Sequence, residues 1–180
     1  MKNILTSFLI AIASLVISCA NDTGNNIVEK LEQQSAQAGA ENVITFKVNN
    51  APVVTTGWNI SRSIINGAIV LNVTSNMHDE ERAININVNG DKAGSYTFLE
   101  MGAYNKNGIA YGSYFPNYNE DMMHSYHFED GEFVISAIDT VKGILDARFS
   151  GKVKNDKGQI MSITEGKVKN GKLRPGVTVY

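Results

Sequence analysis

From Ala83 to Asn89 the chain alternates, with Ile84, Ile86 and Val88 on one side and Asn85, Asn87 and Asn89 on the other. A period of two places alternate side chains on opposite faces, which is what a half-buried β-strand requires. The same alternation sets Leu145, Ala147, Phe149, Gly151 and Val153 against Asp146, Arg148, Ser150 and Lys152, and it returns in Ile69, Leu71 and Val73. Between such runs stand Asn66-Gly67, Asn89-Gly90, Asn107-Gly108, Asp130-Gly131 and Asn170-Gly171, with Asn155-Asp156-Lys157-Gly158 as a longer variant. Asn or Asp followed by Gly tolerates positive φ at both central positions of a tight hairpin, so each pair predicts a turn between antiparallel strands. No helical periodicity competes after Asn42. The expected fold is all-β: an antiparallel, hairpin-rich β-sandwich or a partly closed barrel. Open sheets must guard their edges, and Lys152, Lys154, Lys167, Lys169 and Lys172 on the last strands are the expected guards.

The N-terminus follows a different logic. Met1-Lys2-Asn3 is a short positive start, and Ile4 to Ile17 is an apolar run interrupted by Thr6, Ser7 and Ser14. That run is shorter than the roughly 20 apolar residues a bilayer span needs. It stops at Val16-Ile17-Ser18-Cys19, an aliphatic-x-small-Cys arrangement where a secretory signal is cut. These residues resemble the lipobox of bacterial lipoproteins. The resemblance implies a signal peptide over residues 1–18, a diacylglyceryl group on the Cys19 thiol, and Cys19 as the mature N-terminus. The partner it implies is a membrane, reached through that lipid anchor. Residues 19–42 are then the lipidated cysteine and a flexible tether, polar and Gly-containing, and residues 43–180 form a single β domain. Cys19 is the only cysteine, so neither a disulfide nor a thiolate metal site is expected in the domain. Loss of Lys2 with the signal leaves 15 basic against 18 acidic residues, a formal charge of −3. That balance offers no electrostatic footprint for nucleic acid.

Several ordered pieces recur together in the mature chain: Phe46-x-Val48-Asn49, Gly94-x-Tyr96, Gly131-x-Phe133-x-Ile135 running to Asp139, Gly143 through Phe149-Ser150-Gly151, and Ile163-x-x-Gly166-Lys167-Val168. In this order they resemble a family of uncharacterised lipoproteins of Bacteroidota type, classed as a domain of unknown function. The resemblance implies export and an all-β fold, and it transfers no catalytic residue. The expected location is the bacterial cell envelope, with the outer membrane favoured and its periplasmic or surface face open.

Chemistry-bearing residues are sparse. Glu120 to Asp130 holds His124, His127 and four carboxylates, which are proper zinc or manganese ligands. Yet His-x-x-His diverges on a strand, so neither metal nor cofactor is expected. No nucleophile or phosphate-binding motif is present. Tyr104, Tyr111, Tyr114, Phe115 and Tyr118 are mixed with Asn105, Asn107, Asn117 and Asn119. Tyrosine offers apolar area with a polar tip and asparagine both donor and acceptor, a combination suited to carbohydrate or peptide. Tyr111 and Phe115 are expected in the core, and Tyr104 and Tyr118 are the candidate ligand-binding residues. The function expected is a non-catalytic binding or interaction module at the envelope, with an envelope protein or glycan as partner. The alternatives are a structural accessory subunit of an outer-membrane complex and an enzyme of unrecognised type.

Replacing Cys19 by Ser is expected to move the protein from the membrane fraction to the soluble fraction. Unchanged retention on fractionation would mean that the thiol carries no anchor.

Overall fold

The computed structural model describes residues 43–55, 58–75, 82–99, 106–118 and 124–179, so Cys19 and the apolar segment before it lie outside the described residues. Ten strands follow one another: β1 (Val43–Val48), β2 (Ala51–Thr55), β3 (Trp58–Ile65), β4 (Ala68–Ser75), β5 (Ala83–Asn89), β6 (Gly94–Phe98), β7 (Ile109–Phe115), β8 (Tyr126–Asp139), β9 (Ile144–Lys154) and β10 (Ile160–Val179). No α-helix interrupts them among the described residues. All ten belong to one sheet that bends back on itself: β10 pairs with β9 along one side and with β1 and then β3 along the other, while β3, β4, β5, β7, β8 and β9 complete the circuit. The result is a partly closed barrel, one of the two expected architectures. Two wedges spoil its regularity, with β6 inserted between β7 and β8 over part of their length and the β1–β2 hairpin added beside β10.

Inward residues obey the alternation. Ile84, Ile86 and Val88 are fully buried, as are Leu71 and Val73, and Leu145, Ala147, Phe149 and Val153 line the same interior. Phenylalanine fills the centre. Phe98 stacks on Phe128 at 3.9 Å, and Phe149 meets Phe133 at 6.2 Å and Phe46 at 5.9 Å. Phe46 also meets Tyr114 edge-on at 5.9 Å. Strand β1 thereby touches β7, which it does not pair with, and side chains occupy the space between the walls.

Four expectations need correction. Asn66-Gly67 and the Asn155–Gly158 turn do join hairpins. Asp130-Gly131 instead lies inside β8 and Asn170-Gly171 inside β10, each beside a register shift that marks a β-bulge. Bulges and tight turns both need positive φ, so the dipeptide alone does not separate them. Gly131, at φ 108°, has no room for a Cβ because the Ser150 carbonyl oxygen occupies that position. Second, Asn89-Gly90 and Asn107-Gly108 do not join paired antiparallel strands, because β5 pairs with β7, and β6 runs parallel to β7. Third, the pairing is not wholly antiparallel, since β10 also runs parallel to β3. Fourth, the lysines of β9 and β10 guard no edge, because the stretches that carry them are paired on both sides. Edges lie instead at β2, five residues long with Pro52 withholding one N–H, and along Leu173–Val179, which pair with β3 alone. A further tight turn, Asn49-Asn50 with both residues at positive φ, joins β1 to β2 without a glycine.

The turn from β8 to β9 is held by Asp139, whose Oδ1 accepts from the N–H groups of Val141 and Lys142 at 3.0 and 2.8 Å. The Lys142 N–H is the main reason its carboxyl titrates below the ordinary range. A pKa lowered by folding stabilises above the unfolded value, and the contribution is lost as pH falls through the folded one. Asp139→Asn is therefore expected to lower stability at neutral pH and to converge on the parent protein at acid pH, flattening the acid limb of a stability–pH profile. Phe149→Ala, which opens a cavity between Phe46 and Phe133, is expected to cost about 3–5 kcal/mol by denaturant titration. Arg148→Ala, on the exposed side of the same strand, should cost well under about 1 kcal/mol.

Candidate functional site

At one end of the barrel three connections meet: the Asn66-Gly67 turn, the loop from Gly90 to Ala93, and the Asn107-Gly108 turn. They enclose an open cleft of about 700 Å³, which Asn89, Lys92, Ser95, Tyr96 and Asn107 face. The walls are tied to one another. The Tyr96 hydroxyl donates to the Lys92 carbonyl at 2.8 Å and accepts from the Lys92 N–H at 3.1 Å, closing the loop on itself. Gly90 makes that closure feasible, because a Cβ there would stand 2.8 Å from the Tyr96 ring. Asn89 Nδ2 donates to the Lys106 carbonyl at 2.9 Å, and the Gly108 N–H donates to the Asn89 carbonyl at 3.0 Å, fixing the third wall to the end of β5. Arg62 Nε donates to Asp91 Oδ2 at 2.8 Å, tying the loop to β3 and compensating the carboxylate. With that charge matched, the cleft presents amides, hydroxyls and the Lys92 side chain: a concave, preorganised polar surface suited to a hydroxylated ligand.

Of the residues singled out from sequence, the structure brings Asn107 to the cleft. Tyr104 lies outside the described residues. Tyr118 stands beyond the far end of the seven-residue strand β7, roughly 20 Å away along the chain, where its ring meets Phe115 edge-on at 5.4 Å. Asn107 and Tyr118 thus stand beyond opposite ends of β7. The register of β7 is also the reverse of the expected one. Pairing of Ile84 with Tyr114 and of Ile86 with Gly112 turns the even positions inward, so Tyr114 is the core tyrosine at 3 % exposure while Tyr111 and Phe115 are only partly buried on the outer face. A strand displaced by one residue exchanges its faces. Burial is the main cause that raises the Tyr114 pKa, with Arg82 opposing and Tyr126 adding to it.

The histidines do not converge. His124 is exposed near Lys157 Nζ, at 3.4 Å. His127 sits on β8 between two hydroxyls, with Ser113 Oγ 2.8 Å from Nδ1 and Ser125 Oγ 3.4 Å from Nε2. Ser113 is 8 % exposed, and its backbone lies in the ladder with β5 on one side and β8 on the other. Among the described residues no three His, Cys, Asp or Glu side chains gather as a metal site. His78, Glu120 and Asp121 lie outside the described residues.

Arg62, Asp91, Lys92, Ser95 and Tyr96 escaped the reading of the sequence as site residues. The signal available was Asn89-Gly90 followed by the charged pair Asp91-Lys92, which registers only as a turn. No family model, curated protein or solved structure matches this chain.

Tyr96→Phe removes both hydrogen bonds that close the 92–96 loop while keeping the ring. It is expected to lower stability by about 1–2 kcal/mol and to speed amide hydrogen exchange at Asp91 and Lys92. Unchanged exchange would show that the hydroxyl does not hold the cleft.

Proposed function

We propose that this chain is a lipoprotein of the bacterial cell envelope, anchored through Cys19, whose β domain is a non-catalytic module that binds a glycan in the cleft between Asn89, Lys92, Tyr96 and Asn107. The observation that carries the reading is the preorganisation of that cleft. The 90–93 loop is closed by Tyr96 and tied to β3 by the Arg62–Asp91 pair, and the segment before Asn107-Gly108 is tied to the end of β5 by Asn89, although loops with no binding role can remain loose. Polar groups held in place lose little freedom when a ligand arrives, which is how a shallow site on a small domain gains affinity. Amides and hydroxyls at fixed positions match the alternating donors and acceptors of a sugar.

The absence of catalysis is part of the proposal. Among the described residues the Ser113–His127 contact is the one that resembles a nucleophile and base, and it lies in mid-sheet where the Ser113 backbone is engaged in strand pairing, an arrangement unlike an oxyanion hole built from unpaired N–H groups. The anchor rests on the apolar segment that ends at Val16-Ile17-Ser18-Cys19. The outer membrane is the proposed address.

Titration of the protein with a panel of oligosaccharides by calorimetry tests the binding reading. At least one member is expected to bind, with Lys92→Ala and Asn107→Ala each weakening it by roughly three- to tenfold. A panel without binders, or binding indifferent to both substitutions, would remove the cleft from consideration.

A further inference from the structure

The outer face of β4 and β5 carries a closed arrangement of polar side chains. Asn72 Nδ2 donates to Asn87 Oδ1 at 2.8 Å, and Asn87 Nδ2 donates to Asn85 Oδ1 at 2.9 Å. Asn85 Nδ2 donates to Thr74 Oγ1 at 2.8 Å, and Thr74 Oγ1 donates to Asn72 Oδ1 at 2.7 Å. The four side chains close a ring in which each donates once and accepts once, all in one sense. Such rings polarise their members cooperatively. The backbone register makes it, since Asn72 stands opposite Asn87 and Thr74 opposite Asn85. Asparagine is among the poorer strand residues, and three of them on the central strands of a sheet sacrifice propensity that Thr or Val would supply.

The ring does not exhaust its members. An asparagine amide has two N–H donors and two acceptor sites, and a threonine hydroxyl has one donor and two acceptor sites. After the ring is closed, three N–H groups and four acceptor sites remain, on side chains that are partly exposed. Reversing the sense of the ring leaves the same remainder, so the count does not depend on which amide atom is nitrogen. The array covers one strand spacing by two residues, about 5 by 7 Å, the footprint of a single pyranose ring. Its neighbours on the flanking strands are Asn59 and Ser61 on β3, and Tyr111 and Ser113 on β7. None is charged. Tyr111, directly opposite Asn87, places an aromatic side chain beside the array.

We infer that the Asn72–Thr74–Asn85–Asn87 ring, walled by Tyr111, is a subsite for one uncharged hexopyranose residue. A vicinal diol is at once donor and acceptor, matching the mixed remainder of the ring, while the apolar face of the sugar lies against the tyrosine ring. The uncharged surroundings select a neutral sugar over a uronate or a sulfated one, because an anion would lose hydration with no cation opposite it. Asn85, Asn87 and Asn89 are successive outward residues of β5, and Asn89 belongs to the cleft. The subsite therefore adjoins the cleft about 7 Å along the strand, spacing that suits neighbouring residues of one chain. The inference extends the glycan reading of the cleft and rests on it for the ligand class, but a separate set of side chains decides it.

The test is a chemical-shift map of the ¹⁵N-labelled full chain titrated with the methyl glycosides of glucose, galactose, mannose and N-acetylglucosamine at millimolar concentrations, and with their disaccharides. At least one sugar is expected to shift the side-chain amide resonances of Asn72, Asn85 and Asn87 saturably. Thr74→Val, which breaks the ring at its hydroxyl, should weaken that binding roughly tenfold. Tyr111→Ala should do likewise, and Thr74→Ser should retain binding, which separates loss of the hydroxyl from damage to the fold. His124→Ala, on an exposed residue away from both sites, should change nothing. Shifts confined to Lys92, Ser95 and Asn107 would uphold the cleft and overturn the subsite. Shifts confined to the asparagine ring would uphold the subsite and remove the cleft. If no sugar in the panel moves either set, both fall.

Discussion

The pairing of the last strand with the first strands is the constraint on which this molecule depends. Strand β10, twenty residues long, lies against β9 on one side and against β1 and β3 on the other. Without those contacts the sheet would be open, with two long edges and a phenylalanine layer exposed to water on one face. With them, Phe46 on β1 reaches Phe149 on β9 and Tyr114 on β7, and the interior becomes a packed core. Closure joins Ile60 to Leu173, residues more than a hundred apart in sequence, so the chain loses much loop entropy before the contact is rewarded. The bulges of β8 and β10 belong to the same requirement. A long strand has to coil to follow a curved wall, and an extra residue at Asp130-Gly131 or Asn170-Gly171 increases its local twist.

Closure also determines what the surface can offer. Once the interior is filled by side chains, recognition is left to the ends and the outer face. At the end where the 66–67, 90–93 and 107–108 segments meet, side-chain hydrogen bonds tie the second to β3 and the third to β5, and the cleft lies between them. On the outer face, β4 and β5 have no second layer among the described residues, so their polar side chains satisfy one another sideways. The asparagine ring and the cleft are joined by a single strand: β5 directs Ile84, Ile86 and Val88 into the core, and Asn85, Asn87 and Asn89 away from it.

Much of this fold is legible in the sequence. Alternation identified the strands and the inward positions of β4, β5 and β9 correctly, because burial of one face of a sheet leaves a period-two trace that local sequence preserves. Positions requiring positive φ were also visible as Asn-Gly and Asp-Gly pairs, although their role as turn or bulge was not. The site was less legible. Tyr111 and Tyr114 are three apart, so only one of them can face the core, and nothing within the strand says which. Arg62 and Asp91 lie on different strands and loops and become partners only when β3, β4 and β5 are laid side by side.

The sequence by itself determined the class of fold, the faces of the clearest strands and the positions of unusual backbone, because each is written in neighbouring residues. Only the tertiary structure decided that β10 pairs parallel with β3, that Tyr114 rather than Tyr111 is buried, and that Asn72, Thr74, Asn85 and Asn87 close a ring. Those facts depend on register between strands distant in the chain, and register is fixed by the joint packing of the core rather than by any one segment.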